Sequence, residues 1–340
     1  MKGGGPILIV APSWIGDTIM MQPLLSRLRA QRPDSKIHVL APAWCTPLLA
    51  RMPEVAAIIE NPFAHGEFNW EGRRALGRRL ASTGFFSEAY VLPNSWKSAL
   101  VPFFAGIPLR IGYHGEARYL LLNRRQRLDA AALPRLVDRY AALAGPADGP
   151  TPQPHLSSTS EQQRDARRAL GLDETVAPVV FCPGAEYGPA KRWPAGHFAA
   201  LAGKLGASGT PVWIVGGAKD RETGDEIAAL SQGAASNLCG RTDLEQAIDL
   251  IAGARLVVSN DSGLMHVAAA LDRPLLALYG SSSPDYTPPL SPRAKILSLN
   301  LDCSPCFKRE CPLGHLHCLE ELTPAQVLKA VPEGILASDA

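Results

Sequence analysis

Residues 256–271 read Leu256-Val257-Val258-Ser259-Asn260-Asp261-Ser262-Gly263-Leu264-Met265-His266-Val267-Ala268-Ala269-Ala270-Leu271. An apolar run leads into a turn that holds a carboxylate, a hydroxyl and a glycine, and a helical pattern follows, which predicts strand, tight turn and helix. Such a helix offers free N–H groups and the positive end of its dipole to a ligand in front of it, which suits a diphosphate. In the plainer alternative, Asp261 or Ser262 is an ordinary N-cap.

The composition limits what the chain can be. At 340 residues it exceeds the usual size of one hydrophobic core, so we expect two domains. The 46% hydrophobic and 19% charged residues are typical of globular proteins, and a net charge of +2 is too small to predict nucleic-acid binding. No apolar run reaches about 18 residues and no signal peptide is apparent, so we expect no transmembrane segment, a cytoplasmic location and reduced cysteines.

Apolar runs alternate with helical patterns along the chain, which is typical of α/β proteins with parallel sheets. The predicted strands are residues 7–10, 37–40, 57–59, 89–92, 179–182, 212–215, 256–258 and 275–278. The predicted helices are residues 20–28, 47–51, 73–81, 160–170 with Ser160 as cap, 195–205, 222–230, 243–252 and 264–271. A segment rich in Pro and Gly, residues 145–154, is predicted to be the interdomain linker.

Two further turns of the second half suit a nucleotide. Lys191 and Arg192 precede a helix whose first position suits Pro194. Cations at a helix start are unfavourable, because that end of the helix dipole is also positive. A bound anion between the cations and the helix accounts for their position better than the alternative, which is two solvated side chains. The turn at 216–217 has two glycines that allow close backbone approach, and the acids after it could bind ribose hydroxyls. With the turn at Asp261, these loops predict a nucleotide-diphosphate pocket at the carboxyl ends of the strands.

Several segments resemble those of the bacterial lipopolysaccharide heptosyltransferases. They are residues 260–270, 191–194, 41–45, 51–55, 91–95, 97–106 and 306–315, together with Gly16-Asp17. The resemblance spans nearly the whole chain and is closer to one member of that family. It implies a GT-B fold, in which two Rossmann-like domains with parallel sheets face each other across a cleft. Residues 1–155 would bind the acceptor and residues 156–322 the ADP-sugar, and residues 323–340 would form a final helix that packs back toward the first domain.

The resemblance also implies an inverting glycosyltransferase. It would move L-glycero-D-manno-heptose from ADP-heptose onto the first heptose of the lipopolysaccharide inner core. Asp17 matches the proposed general base, although a helix start stabilises its charged form and a plain cap is the alternative. We expect no metal cofactor, because the chain has no DxD-like pair in a suitable loop, and cations with helix N-termini would stabilise the leaving diphosphate.

The remaining donor contacts are also implied by the resemblance. Lys191 matches the lysine that contacts the diphosphate, and Arg192 is a second cation. Asp261 matches the carboxylate that holds hydroxyls of the donor sugar, with the backbone of Ser262 and Gly263 on the phosphates. The other predicted donor residues are His266 beside the same groups, Asp220 and Glu222 at the ribose, and Thr242 at the adenine edge.

The implied acceptor is a phosphorylated, acidic glycolipid at the membrane surface, so basic side chains of the first domain should bind it. One cluster consists of Lys97, Arg110, His114, Arg118, Arg124, Arg125 and Arg127, and a second of Arg73, Arg74, Arg78 and Arg79. Each cluster has a solvated face as its alternative. We predict that the first binds the acceptor, through Lys97, Arg110, His114 and Arg118, and that the enzyme works at the inner face of the inner membrane.

Four cysteines near the C-terminus have a spacing that a structural zinc site could use. They are Cys303, Cys306, Cys311 and Cys318, with His315 and His317 between them. Buried or incidental thiols are the alternative, and the resemblance implies no metal.

Two other functions stay open beside the first. One is heptose transfer to another inner-core position, and the other is a non-catalytic protein that binds nucleotide sugars. Gly16-Asp17 and the basic cluster favour an enzyme, because a pure binding protein has no need of them. A dinucleotide dehydrogenase is disfavoured, since no G-x-G-x-x-G follows the first strand of either half.

Overall fold

The computed structural model describes residues 5–64, 66–84, 86–146 and 148–335. The chain divides into two compact units, Met1–Pro154 and His155–Ala340. The division falls at the end of the segment rich in Pro and Gly that was predicted to be the linker.

A six-stranded parallel sheet forms the first unit, in the order β3-β2-β1-β4-β5-β6. Its strands are β1 (Ile7–Val10), β2 (Ile37–Ala41), β3 (Val55–Glu60), β4 (Glu88–Val91), β5 (Leu109–Tyr113) and β6 (Arg124–Gln126). Its helices are α1 (Ile15–Met20), α2 (Gln22–Gln31), α3 (Thr46–Leu49), α4 (Trp70–Thr83), α5 (Leu100–Phe104) and α6 (Leu136–Ala142). Every residue of the central strand β1 is buried, which explains its unbroken apolar run.

The second unit repeats this layout with the strand order β12-β11-β10-β7-β8-β9, again parallel throughout. Its strands are β7 (Val179–Cys182), β8 (Val212–Ile214), β9 (Ala235–Asn237), β10 (Leu256–Asn260), β11 (Leu275–Leu278) and β12 (Ala294–Leu297). Its helices are α7 (Ser160–Ala169), α8 (Ala195–Ala207), α9 (Arg221–Leu230), α10 (Leu244–Ala252), α11 (Gly263–Ala270), α12 (His317–Glu320) and α13 (Pro324–Lys329).

Helix starts follow local side-chain chemistry. The helix α7 begins with a capping box, in which Thr159 Oγ1 accepts from the N–H of Gln162 and the Gln162 side chain accepts from the N–H of Thr159. The predicted cap, Ser160, is therefore wrong by one residue. Asp243 and Thr323 begin α10 and α13 in the same way, each with a glutamine three residues later.

Each unit has its own apolar core. The helix α13 belongs to the second unit, where Val327 is fully buried in the same core as Phe198 of α8. The predicted return of the final segment toward the first domain stays a prediction, and residues 336–340 lie outside the described residues. In the described part of the chain, every helix is too short or too polar to span a bilayer.

The strand order of the second sheet decides where its loops meet. The strand β10 lies between β7 and β11, and β8 is the next strand beyond β7. Because all these strands are parallel, the loops that follow them lie along one edge of the sheet. The three turns predicted to bind a nucleotide follow β7, β8 and β10, so the fold brings them to that edge.

Candidate functional site

A buried ion pair lies at this edge of the second unit. Lys191 Nζ is 2.5 Å from Asp261 Oδ2, and the two side chains are 17% and 5% exposed. Lys191 comes from the loop after β7 and Asp261 follows β10 directly. From the loop after β11, the Ser282 hydroxyl donates to the same carboxylate oxygen at 2.5 Å. The loops after β7 and β11 therefore both contact the carboxylate that follows β10, and this contact fixes the position of the lysine ammonium.

Asn260 fastens the backbone around this pair. It is fully buried, its Nδ2 donates to the Pro183 carbonyl at 2.6 Å, and its Oδ1 accepts from the Trp193 N–H at 3.1 Å. The Trp193 indole N–H donates in turn to the Leu322 carbonyl at 2.7 Å. One amide thus holds both ends of the loop that carries Lys191 against the end of β10.

We expect the substitution Asn260→Leu to lower the free energy of unfolding by about 2–4 kcal/mol. Leucine has a similar volume but leaves a buried N–H and a buried C=O without partners, and each unpaired group costs about 1–3 kcal/mol. Urea unfolding followed by circular dichroism measures the change. The control is Gln153→Leu, which removes an exposed amide. An Asn260→Leu protein as stable as that control would contradict the structural role of Asn260.

The start of α11 is not closed by a side chain. Ser262 occupies the N-cap position in an extended conformation, makes no capping hydrogen bond, and leaves Gly263 as the first helical residue. Asp261 is engaged by Lys191 and Ser282 instead. Ser262 is therefore the N-cap by position but not by hydrogen bonding, and the first N–H groups of α11 stand beside the ion pair as potential anion ligands.

His266 is buried one helical turn further along α11. Burial lowers the pKa of His266 from 6.5 to about 4; the Lys191 charge acts in the same direction and the Asp261 charge against it. The imidazole is therefore neutral at pH 7. It can offer a hydrogen bond to a ligand but no positive charge.

This burial makes stability depend on pH. As pH falls below 6.5, His266 becomes protonated in the unfolded chain, whereas in the folded chain it becomes protonated only near pH 4. The contribution of His266 to stability is complete above pH 6.5 and is lost as pH falls from 6.5 to about 4. We expect up to about 3 kcal/mol of the acid destabilisation to disappear in His266→Gln. Urea midpoints of the two proteins at pH 7 and pH 4.5 test this, and equal pH dependence would contradict it.

The turn after β8 is organised by Asp220. Its Oδ2 accepts from the Gly217 N–H at 2.9 Å, and burial raises the pKa of this carboxyl. A Cβ atom at Gly184 would lie 2.5 Å from the carboxylate, and one at Gly216 would lie 2.8 Å from it. Both glycines therefore allow the Asp220 carboxylate to lie against the loops after β7 and β8 in this position.

The other predicted donor residues lie around this core. Arg192 is half-buried; one of its N–H groups donates to the Ala185 carbonyl at 3.4 Å, and its Nε has no partner among the described residues. Glu222 is exposed in the first turn of α9, and Thr242 directly precedes the cap of α10. Their roles at the ribose and the adenine stay predictions.

The structure adds residues that the sequence did not suggest. Tyr187 has the Lys191 ammonium 5.2 Å and the Arg309 guanidinium 5.3 Å from its ring centre, and its hydroxyl donates to the Phe307 carbonyl at 2.8 Å. Together with the hydrogen bond from the Ala190 N–H to the Arg309 carbonyl at 3.0 Å, these contacts place residues 307–309 against the lysine loop. Only the run of three serines after β11 could have signalled Ser282, because it follows a strand next to β10.

The four C-terminal cysteines, all free, line one cavity of about 20 Å³ with His315 and Ser281. Burial, and then the charges of the other three, raise the pKa of Cys318. The pKa of Cys311 is lowered by backbone N–H groups, those of Leu316, Leu313, Gly314 and His315. Within the residues that the structure describes, no three His, Cys, Asp or Glu side chains are arranged to hold a metal ion. Zinc binding and incidental thiols stay the two alternatives for this cluster.

In the first unit, Asp17 lies in the first turn of α1, directly after the central strand β1. The N-cap position belongs to Trp14, so Asp17 is not the cap of this helix. Asp17 is partly exposed at the carboxyl edge of the sheet, where ligands of such sheets bind. Its role as general base stays a prediction.

The predicted acceptor residues differ in exposure. Arg118 is 2% exposed and donates to the Pro93 and Tyr113 carbonyls and to Asn94 Oδ1. Its burial leaves no surface for an acceptor, so Arg118 is a structural residue and we correct that prediction.

Arg110 is only half-buried, but its guanidinium donates to the Leu121 and Ile107 carbonyls. Lys97 is also half-buried, and His114 is exposed. Of the four predicted acceptor residues, Lys97 and His114 are therefore the ones whose side chains are not already engaged in this way.

Comparison with known proteins places the chain in a family. Residues 73–317 match the family model for Glycosyltransferase family 9 (heptosyltransferase). The chain is 47% identical to lipopolysaccharide heptosyltransferase 2 of Escherichia coli (strain K12), over 98% of this chain and 99% of the relative. It is 48% identical to lipopolysaccharide heptosyltransferase 2 of Salmonella typhimurium, over 95% and 96%.

A solved structure supports the same assignment. The structure of E. coli ADP-heptose lps heptosyltransferase II matches with a TM-score of 0.88 at 44% identity, over 98% of this chain and 100% of that chain. This match and the two parallel six-stranded sheets confirm the predicted fold class. The chain belongs to glycosyltransferase family 9, the heptosyltransferases.

Proposed function

We propose that this enzyme transfers L-glycero-D-manno-heptose from ADP-heptose onto the first heptose of the lipopolysaccharide inner core. The observation that carries the proposal is the 47% identity to a lipopolysaccharide heptosyltransferase 2 over 98% of the chain. The geometry of the second unit agrees with an ADP-sugar donor, since a fixed ammonium and an open helix start lie side by side.

In this proposal, Lys191 and α11 receive the diphosphate. The Lys191 ammonium has three N–H donors, of which Asp261 occupies one at 2.5 Å. The others can bind phosphate oxygens, and the first N–H groups of α11 add neutral donors and the helix dipole. Asp261 Oδ1 remains to accept from a hydroxyl of the heptose. These groups stabilise the charge of the leaving ADP without requiring a metal ion.

The proposed transfer step is a direct displacement at the anomeric carbon. Asp17 accepts the proton of the acceptor hydroxyl, whose oxygen attacks the anomeric carbon from the face opposite ADP. A new C–O bond forms as the bond from the anomeric carbon to the phosphate oxygen breaks, and ADP leaves with the electron pair. The configuration at the anomeric carbon is inverted.

The acceptor is proposed to bind the first unit. Lys97 and His114, with the exposed side chains of Arg124 and Arg125, replace the buried Arg118 as its cationic ligands. Because the proposed acceptor is a glycolipid, we also propose that the enzyme works in the cytoplasm, at the inner face of the inner membrane.

One experiment distinguishes this proposal from its two alternatives. The purified protein is incubated with ADP-heptose and a core acceptor that carries one heptose, in buffer with EDTA, and ADP release and product mass are followed. We expect a gain of one heptose that requires both substrates. No product from this acceptor, but transfer to a longer core, would indicate another inner-core position. ADP-heptose binding without transfer to any core acceptor would indicate a binding protein.

A further inference from the structure

Five aromatic side chains form a continuous surface in the first unit, which we call the aromatic ridge. Its members are Phe68, Trp70, Trp96, Phe103 and Phe104. The rings of Phe68, Trp70 and Trp96 stack on one another, with centroids 5.9–6.2 Å apart. Trp70 then meets Phe104 edge-on at 5.0 Å, and Phe104 meets Phe103 at 5.5 Å.

The aromatic ridge is open to solvent. Phe68 is 49% exposed, Trp70 42% and Phe103 38%. Full burial of a large apolar side chain is favourable by about 1.5–3 kcal/mol relative to exposure, so leaving these rings exposed is costly. Scattered exposed apolar residues are common, but a contiguous aromatic surface is typical of an interaction site.

Polar groups beneath the aromatic ridge hold it in place. The buried Arg73 guanidinium lies over the Phe63 ring at 4.2 Å and donates to the carbonyls of Phe68 at 2.6 Å, Glu67 at 2.9 Å and Lys97 at 3.4 Å. One side chain thus ties the loop after β3 to the 3-10 turn after β4. The surface is therefore built into the fold.

Close packing of two helices supports the other end. A Cβ atom at Gly77 of α4 would lie 2.6 Å from Phe104 Cβ and 2.8 Å from the Val101 carbonyl. Only glycine allows α4 and α5 to approach so closely, and this approach sets Trp70 against Phe104.

Positive charge surrounds the aromatic ridge. Arg74 and Arg78 are exposed on α4, four and eight residues after Trp70, Lys97 adjoins Trp96, and the Arg110 guanidinium lies 5.5 Å from the Phe103 ring centre. Of the acidic neighbours, Glu67 accepts from the Ala64 N–H and Glu116 from the Trp96 N–H, so both are engaged within the surface. Glu71 is exposed, and its negative charge is an exception to the positive charge around the aromatic ridge.

We propose that the aromatic ridge, with Arg74 and Arg78, docks the first unit onto an anionic phospholipid membrane. Tryptophan and phenylalanine rings insert at the headgroup level, and adjacent arginines bind lipid phosphates. The choice of a membrane as occupant rests on the proposed function, whose acceptor is a glycolipid. Docking through this surface would hold the acceptor-binding unit at the layer in which its substrate is anchored.

The test measures binding of the full chain to vesicles. Anionic vesicles of phosphatidylglycerol and phosphatidylcholine are compared with neutral phosphatidylcholine vesicles by co-sedimentation at low salt. We expect binding to the anionic vesicles, and about tenfold weaker binding for Phe68→Ser/Trp70→Ser. The matched control Trp44→Ser removes a tryptophan that is 51% exposed elsewhere in the same unit, and it should bind within about twofold of the parent chain.

A second pair of variants tests the charges. Arg74→Gln/Arg78→Gln should lower the affinity for anionic vesicles about fivefold for each arginine and leave the weak binding to neutral vesicles unchanged. Arg29→Gln/Arg164→Gln removes the same charge from exposed positions elsewhere and should have little effect. Acyl chains brominated near the headgroup should quench the tryptophan fluorescence of the parent chain more than that of Trp70→Phe.

Several results would overturn the inference. One is a parent chain that does not bind anionic vesicles, and another is equal loss in the test and control variants. A concentration-dependent dimer that Phe68→Ser/Trp70→Ser abolishes would assign the ridge to a second copy of the chain. An unchanged vesicle affinity with a raised KM for a delipidated core acceptor would assign it to the sugar.

Failure of this inference is separable from failure of the proposed function. Transfer to a delipidated acceptor requires no membrane, so it should be unchanged in Phe68→Ser/Trp70→Ser. A parent chain that binds anionic vesicles through the ridge but transfers no heptose would support the docking surface and reject the proposed function. Thermal unfolding by circular dichroism confirms that each variant is folded before its binding is compared.

Discussion

Asp17→Asn should leave the binding of ADP-heptose unchanged and lower kcat for heptose transfer by about 10²–10⁴-fold, the usual contribution of a general base. Asparagine has nearly the same shape as aspartate but cannot accept the acceptor's proton. Asp17 lies in the first turn of α1 and Trp14 is the N-cap residue of that helix, so the substitution does not replace the N-cap residue. Isothermal titration with ADP-heptose and a steady-state assay of ADP release measure the two quantities.

The control for this variant is Asp34→Asn, which neutralises an exposed carboxylate elsewhere in the first unit. It should retain full turnover. Turnover of Asp17→Asn within about threefold of the parent enzyme would exclude Asp17 as the base, because the expected loss starts at about 10²-fold. A loss of ADP-heptose binding in the same variant would instead assign Asp17 a structural or donor-binding role.

Lys191→Met should lower kcat/KM by about 10²–10³-fold and weaken ADP-heptose binding. The variant removes the positive charge beside the helix start and keeps a long side chain against Tyr187. The diphosphate therefore loses the cation that Asp261 holds in position. It also leaves the carboxylate of Asp261, 5% exposed, with the Ser282 hydroxyl but no counter-charge. A lower unfolding temperature is therefore expected as well, since breaking a buried pair is costly.

Two further variants separate charge from folding. Lys191→Arg restores the positive charge and should recover stability more fully than turnover, because a planar guanidinium does not reproduce the ammonium geometry. Lys219→Met removes an exposed lysine of the adjacent loop, 2.5 Å from Glu186, and should be nearly neutral. A Lys191→Met enzyme with normal kcat/KM would exclude the lysine from leaving-group stabilisation.

The sequence predicts the sheets well where strands are buried on both faces. The runs Ile7–Val10, Val179–Cys182 and Leu275–Leu278 have the predicted bounds, because only apolar residues fit the middle of such sheets. The strands β5, β6, β9 and β12 escaped prediction. The interior strand β5 is only half-buried at its first two residues, and β6, β9 and β12 are edge strands with mostly exposed or half-buried residues. Their backbone pairs in the sheet, but their side chains carry no periodic apolar signal.

The candidate site was predictable in its residue types and less so in its contacts. Lys191 and Asp261 were identified from the chemistry of loops that follow buried strands, and parallel pairing of β7 with β10 brings them together. Ser282 was missed because a serine after a strand is common, and its hydrogen bond spans 21 residues of sequence. Arg118 was misassigned because nothing in the sequence shows that carbonyl groups surround it.

The backbone around Cys311 has a practical consequence. Its N–H groups favour the thiolate, while burial raises the pKa of Cys45, Cys182 and Cys239. A maleimide dye at neutral pH should therefore modify Cys311 before those three, because the thiolate is the reactive form. Residues 307–309, just before this cysteine, contact Tyr187 beside the site lysine. A fluorescent dye attached to Cys311 can therefore report the binding of ADP-heptose without the introduction of a new cysteine.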